Sequence, residues 1–304
     1  MKLMKQSWNF NKFRMDNLAD FLNDYFPNCK ISYLAEGDDS IAYMVDEDIV
    51  RFPKHPSGYK NYLFESKLTQ FLRSECLLNV EVPEIFTNQI NGILYSQHRA
   101  LKGHKWNLQT INSMSQKQRQ SFIYSIIDIL LNLAKTNISK LQKAVPELST
   151  KSTVDITLNK DHLDYLANFF TPNEIQTIQT RYYSAKNNLK TEPQKVLLHN
   201  DFTGNNVLID TSSGQITGII DWCNSMIGSP LIDFCKLYNP VHNDLLVDLL
   251  SEYNFRAKTN VKIDQINELE IFNLTNVILL DNLNYVHLEI KANKMRMLLG
   301  NKYN

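Results

Sequence analysis

The chain has 304 residues, with 32 basic and 32 acidic side chains and 43% hydrophobic residues. That length suits one large domain or two lobes with real cores. The zero formal charge, with no basic stripe, gives no support for nucleic-acid binding, and the longest apolar run, residues 126–134, carries Asp128 and Asn132 and is too short to span a membrane. The opening MKLMKQSWNFNKF lacks the apolar centre of a secretion signal. The four cysteines form no C-x-x-C pair, so thiols in a reducing cytoplasm are expected rather than disulfides or a zinc site.

The first predicted element is a short amphipathic helix over 16–26, with Leu18, Phe21, Leu22 and Tyr25 on one face and Pro27-Asn28 as its stop. Residues 31–51 read as a strand, the polar turn Glu36-Gly37-Asp38-Asp39-Ser40, and two more strands. A helix follows over 60–73, then strands over 81–85 and 92–99. Residues 98–103 form a connection, after which the pattern turns helical. His98 and His104 have no metal-ligand partners at useful spacing and read as ordinary polar residues. Ser115 with Gln118 makes a capping box ahead of the run 122–134. Thr171-Pro172-Asn173-Glu174 starts another helix, with Pro at its first position, and Tyr182 and Tyr183 within it read as packing residues. Late in the chain, 245–253 and 264–299 are largely helical, with Leu274, Val277, Ile278, Leu283 and Val286 as apolar positions. There is no internal repeat, low-complexity tract or long linker.

Residues 197–233 carry the chemistry. Three short apolar runs end in polar residues there: Asp201 and Asn206 share one loop, and Asp221 closes the third run. Strand ends hold side chains rigidly, which is where a reacting group is best fixed. An Asp can accept the proton of an attacking hydroxyl, and an Asn with a second Asp can hold the magnesium ions that bridge nucleotide phosphates. Protein kinases use such a loop, H-x-D-x-x-x-x-N, followed by a metal-binding Asp. His199 to Asn206 matches the loop, and Asp221 stands at the second position.

HNDFTGNNVLID, then GIIDW, then GSPLIDF resembles the aminoglycoside phosphotransferase family of antibiotic kinases. Residues 35–55, AEGDDSIAYMVDEDIVRFPKH, are similar to the corresponding segment of the aminoglycoside 2″-phosphotransferases. The resemblance covers nearly the whole chain and is strongest over 36–54 and 197–233. It implies an α+β, bilobal protein-kinase-like fold, with a small β-sheet N-lobe over 1–101 and a larger helical C-lobe over 102–304. It implies transfer of the γ-phosphate of ATP or GTP to a hydroxyl, with Asp201 as the base and Asn206 and Asp221 as ligands of Mg²⁺. Backbone N–H groups of Ser40 and Ile41 would touch phosphate, and the hinge at 98–103, with Arg99 and Leu101, would meet the purine.

Two departures from the family pattern stand out. Its nucleotide-anchoring Lys falls just before Phe-Pro, where this chain has Arg51. Macrolide phosphotransferases carry an L-R-I-P-R pattern at this strand, so Arg is compatible with the role. Glu65 is expected to brace Arg51, while Lys54 lies past the strand and reads as a solvated side chain. The second departure is Ser229, which replaces the first Asp of the family's G-D-P-x-x-D segment. Asp233 within that segment is given a structural role, as a helix cap or an anchor of the Asp201 loop, and His199 is expected to fix that loop by hydrogen bonds.

The acceptor is the least constrained part. Kinases of polycationic aminoglycosides usually have acid-rich acceptor walls. Asp244, Asp248, Glu252, Asp281 and Glu289 are available for one, against the neutral Asn224, Asn239, His242 and Asn243. An aminoglycoside is the first expectation, with a macrolide or metabolic alcohol second. A nucleotide-binding pseudo-enzyme is the third, and the intact Asp201, Asn206 and Asp221 weigh against it. The partners expected are the nucleotide and a small-molecule acceptor, with no nucleic acid and no membrane, and the protein is expected to be a monomer.

Overall fold

The computed structural model describes residues 18–37, 39–90, 93–149, 156–191, 195–237, 244–280 and 285–300. The short helix α1 (Leu18–Tyr25) leads into the strands β1 (Ile31–Glu36), β2 (Ser40–Val45) and β3 (Asp48–Pro53). Helix α2 (Pro56–Ser74) follows, with Pro at its start, where a missing N–H costs nothing. Strands β4 (Phe86–Ile90) and β5 (Ile93–Arg99) complete an antiparallel sheet in the order β1-β2-β3-β5-β4. Residues 81–85, expected as a strand, do not form one. Glu81 makes only an isolated bridge to Gly218, and Pro83 has no N–H to give a ladder.

Strand alternation sorts the sheet into two faces. Val50 and Phe52 turn into a small core with Ile41, Tyr43, Tyr95 and, from α1, Leu18 and Leu22. Arg51, between them in sequence, must therefore face the other way, toward α2. Tyr25, expected on the buried face of α1, is exposed, because the helix ends there.

The second part is helical: α3 (Leu108–Asn112), α4 (Gln116–Ala134), α5 (Ile138–Ala144), α6 (Lys160–Leu166), α7 (Pro172–Thr191), α8 (Leu231–Leu237), α9 (Asp244–Ala257), α10 (Ile263–Leu280) and α11 (Tyr285–Leu298). The capping box predicted for α4 is present, with Ser115 and Gln118 bonded reciprocally, and Thr171 and Glu174 do the same for α7. Tyr182 is fully buried and donates to Asn276 Oδ1 at 3.0 Å. Val286, one of the apolar positions, is exposed on α11, and Leu283 lies outside the described residues.

Two small antiparallel ribbons sit among these helices. β6 (Val196–Leu198) pairs with β9 (Met226–Gly228), and β7 (Val207–Ile209) pairs with β8 (Ile216–Ile219). β9 was not legible in the sequence. These ribbons share one large core with α2, whose Phe64, Leu68, Phe71 and Leu72 pack into it beside Phe122, Phe202 and Trp222. The architecture is bilobal α+β, as expected. Among the described residues no helix is long and apolar enough to cross a membrane.

Candidate active site

Four elements meet at one place. β6 runs into the loop holding Asp201 and Asn206, β8 runs toward Asp221, β3 carries Arg51 and α2 carries Glu65. Gly204 lets the loop lie against the segment after the hinge. A Cβ there would sit 2.1 Å from the Trp106 carbonyl, and the Trp106 N–H donates to the Gly204 carbonyl at 3.1 Å.

His199 ties the loop together from inside. It is fully buried, its Nδ1 accepts the Asp201 N–H at 3.3 Å, and its Nε2 donates to the Ile220 carbonyl at 3.0 Å. The first bond makes Nδ1 the bare nitrogen, so the tautomer is set. Burial pushes the imidazole pKa down to about 4, which keeps the ring neutral at neutral pH. One side chain thus fixes the Asp201 backbone to the residue before Asp221. Trp222 packs against it, with ring centroids 4.6 Å apart.

Asp233 holds the same loop from the outside. Its carboxylate accepts the N–H groups of His199 at 3.0 Å and Asn200 at 2.7 Å. Of the two roles expected for it, the structure places it as the loop anchor. Asn200 has φ 61°, a left-handed conformation that Asn tolerates and that turns successive N–H groups toward one anion. Burial pushes the Asp233 carboxyl up to about 6, with the two N–H bonds working against it.

Asp201 and Asn206 are locked to each other. Asn206 Nδ2 donates to the Asp201 carbonyl at 3.0 Å and to Asp201 Oδ2 at 2.8 Å. The amide orientation follows, and Asn206 Oδ1 makes no hydrogen bond among the described residues. Asp221 has φ 62° and ψ 63°, a strained conformation for a residue with a side chain. Burial, then the nearby Glu65 carboxylate, push its pKa up, while the Cys223 thiol donates to its Oδ1 at 2.9 Å. The Arg51 guanidinium, paired with Glu65, also works against that shift. Two hard oxygen donors, Asn206 Oδ1 and the Asp221 carboxylate, fit Mg²⁺, which takes one or two protein ligands and fills its octahedron with water and phosphate. No group of three or more His, Cys, Asp or Glu able to hold a metal occurs among the described residues.

Arg51 and Glu65 pair as expected, with Nη2 2.5 Å from Oε2 and Glu65 only 1% exposed. Lys54 instead lies past β3 and pairs with Glu36 Oε1 at 2.7 Å across the first turn. Ser40 and Ile41 open β2 directly after that turn. Arg99 ends β5 and its exposed side chain pairs with Glu47. Leu101 follows at the crossing between lobes, where its side chain packs on Gly218. Sequence reasoning missed Ser96, Tyr62, Trp222 and Cys223 as neighbours of these groups. Only Trp222 and Cys223 carried a signal, their place directly after Asp221.

A profile described as the phosphotransferase enzyme family matches residues 31–261. The chain belongs to that family. Solved structures similar to this phosphotransferase chain agree in fold. Wild-type aminoglycoside 2′-phosphotransferase-IIIa with GDP is 15% identical, with a TM-score of 0.75 over 95% of this chain and 99% of that one. The ternary complex of streptomycin, ATP and APH(2″)-IIa is 18% identical, with a TM-score of 0.66 over 98% and 99%. A macrolide 2′-phosphotransferase type I is 17% identical, with a TM-score of 0.64 over 97% and 99%.

The acids offered for an acceptor wall are largely committed elsewhere. Asp248 accepts from Arg119 at 2.8 Å, which clamps α9 onto α4. Glu252 lies 3.9 Å from Arg256, itself paired with Asp128, and Glu289 lies 3.9 Å from Arg296. Asp244 is exposed at the start of α9. Asn224 accepts the Asn200 side chain through its carbonyl. Asp281, Asn239, His242 and Asn243 lie outside the described residues.

Proposed function

We propose that this phosphotransferase moves the γ-phosphate of ATP or GTP to a hydroxyl of an aminoglycoside-type antibiotic. The observation that carries this is the joining of the Asp201–Asn206 pair to the residues around Asp221 through His199 and Ile220. Asp201 then takes the hydroxyl proton as the acceptor oxygen bonds to the γ-phosphorus and the bond to the β,γ-bridging oxygen breaks, releasing the nucleoside diphosphate. Asn206 fixes which Asp201 oxygen is engaged and which is open to the acceptor. Mg²⁺ bound between Asn206 Oδ1 and Asp221 would neutralise phosphate charge. Arg51, braced by Glu65, holds phosphate oxygens from the sheet, and the N–H groups of Ser40 and Ile41 cover them. Backbone groups at Arg99 and Leu101 meet the purine. The lobe boundary falls between residues 101 and 102. Little covalent work is asked of the protein, since positioning and charge supply most of the rate in such sites.

The nucleotide and acceptor assignments draw support from the GDP, ATP and streptomycin complexes of the similar structures. A macrolide or other weakly charged alcohol is a second reading. It is favoured by the pairing of Asp248 with Arg119, which takes one acid away from an acceptor wall. Salt dependence separates the two. A polycation held by acids loses affinity as ionic strength rises, because the screening length falls below about 10 Å. A macrolide held by apolar contacts does not. We place the protein in the cytoplasm as a monomer, with its four cysteines reduced.

A further inference from the structure

Arg51 is held in a way that only an arginine can use. Its Nε donates to Ser96 Oγ at 3.1 Å, and its Nη2 donates to Glu65 Oε2 at 2.5 Å. Its guanidinium carbon lies 5.0 Å from the centre of the Tyr62 ring. Ser96 is the direct cross-strand partner of Arg51 on β5 and is fully buried; Tyr62, on α2 one turn before Glu65, is 4% exposed. Of the five guanidinium N–H groups these contacts use two, and Nη1 makes no hydrogen bond to a described residue.

We infer that Ser96 and Tyr62 are positioning residues that specify Arg rather than Lys at position 51, by holding one edge and one face of the guanidinium so that Nη1 is presented to the nucleotide phosphates. This rests on the assignment of Arg51 to phosphate binding. A lysine ends in a single ammonium and has no donor at the Nε position, so it can reach Glu65 or a phosphate but cannot also engage Ser96. It has no plane to lie along the Tyr62 ring. Ser96 matters only while an arginine is there to use it. It is the Tyr62 ring that meets the guanidinium.

A double-mutant cycle tests this. Binding of ATP and of GTP, each with Mg²⁺, is titrated directly in wild type, Arg51→Lys, Ser96→Ala and the double variant, without any acceptor. Far-ultraviolet circular dichroism and thermal unfolding check that each variant is folded. Ser96→Ala should weaken binding on the order of tenfold in the Arg51 protein, the scale of one hydrogen bond to a charged group. It should change nothing in the Arg51→Lys protein. Tyr62→Leu should lose about as much as Arg51→Lys. A purely structural Ser96 would weaken both backgrounds equally, and that result overturns the inference, as would Arg51→Lys binding as tightly as wild type. Arg51→Ala separates the two levels. If it binds nucleotide normally, the phosphate-binding role of Arg51 itself is wrong, and the inference falls with it.

Discussion

Glu65 Oε1 accepts the backbone N–H of Trp222 at 3.0 Å while its other oxygen holds Arg51. One carboxylate on α2 thus joins β3 to the residue after Asp221, so Arg51 and Asp221, proposed to face phosphate and metal, share a single support. Glu65→Gln keeps an oxygen for Trp222 but removes the charge opposite Arg51. Breaking one side of a buried ion pair typically costs about 3–5 kcal/mol. Arg51 is 14% exposed, so the lower end of that range is expected. Thermal unfolding should show the loss, and nucleotide KM should rise together with a fall in kcat. Wild-type Tm and KM in this variant would mean that Arg51 is positioned by other contacts.

The metal assignment makes a separate prediction. Asp221→Ala should remove most of the magnesium-dependent part of nucleotide affinity, because this carboxylate links protein to phosphate through the ion. Titrating nucleotide with and without Mg²⁺ in both proteins reads the difference. An unchanged magnesium requirement would put the ion elsewhere.

His199 gives a pH dependence with a defined sign. Its folded pKa is about 4, below the unfolded value of about 6.5. The unfolded chain therefore binds the proton first. Stability from the neutral ring is fully present above about 6.5 and is lost as pH falls toward 4. Asp233 acts oppositely in nearly the same window. Its carboxyl is pushed up to about 6, so its contribution is present below about 4 and is lost as pH rises through 6. His199→Asn leaves only the second effect. Denaturant unfolding at pH 4.5 and pH 7 should then show less gain in stability toward neutral pH than in wild type, by roughly 2 kcal/mol. An equal gain in both proteins would show that His199 is not the group that titrates.

Much of this was legible in the sequence, for physical reasons. The hairpin strands β1 to β3 follow alternation and turn residues, and the starts of α4 and α7 follow capping boxes, all local signals. That Asp201 and Asn206 share one loop was legible because their spacing is local too. What was not legible depends on long-range register. Ser96 meets Arg51 from 45 residues away, and nothing in either segment announces the pairing. Residues 81–85 have the composition of a strand but make only one bridge among the described residues, to Gly218. The acids of α9 looked available because a sequence shows charge and not its partner; Arg119, which claims Asp248, lies 129 residues earlier. Tyr25 and Val286 fit an apolar face by period, but period does not say whether anything covers that face.

In the proposed mechanism Asp201 accepts the proton of a hydroxyl as that oxygen takes the γ-phosphate. The direct measurement is single-turnover transfer of γ-labelled phosphate from ATP or GTP to a panel of aminoglycosides and macrolides, with Mg²⁺, by wild type and Asp201→Asn. Wild type should label at least one acceptor. Asp201→Asn should slow that transfer by about 10²–10⁴-fold, the range of a general base, while nucleotide affinity stays near wild type. Transfer at the wild-type rate by Asp201→Asn, or nucleotide bound by wild type with no acceptor labelled, would contradict the account.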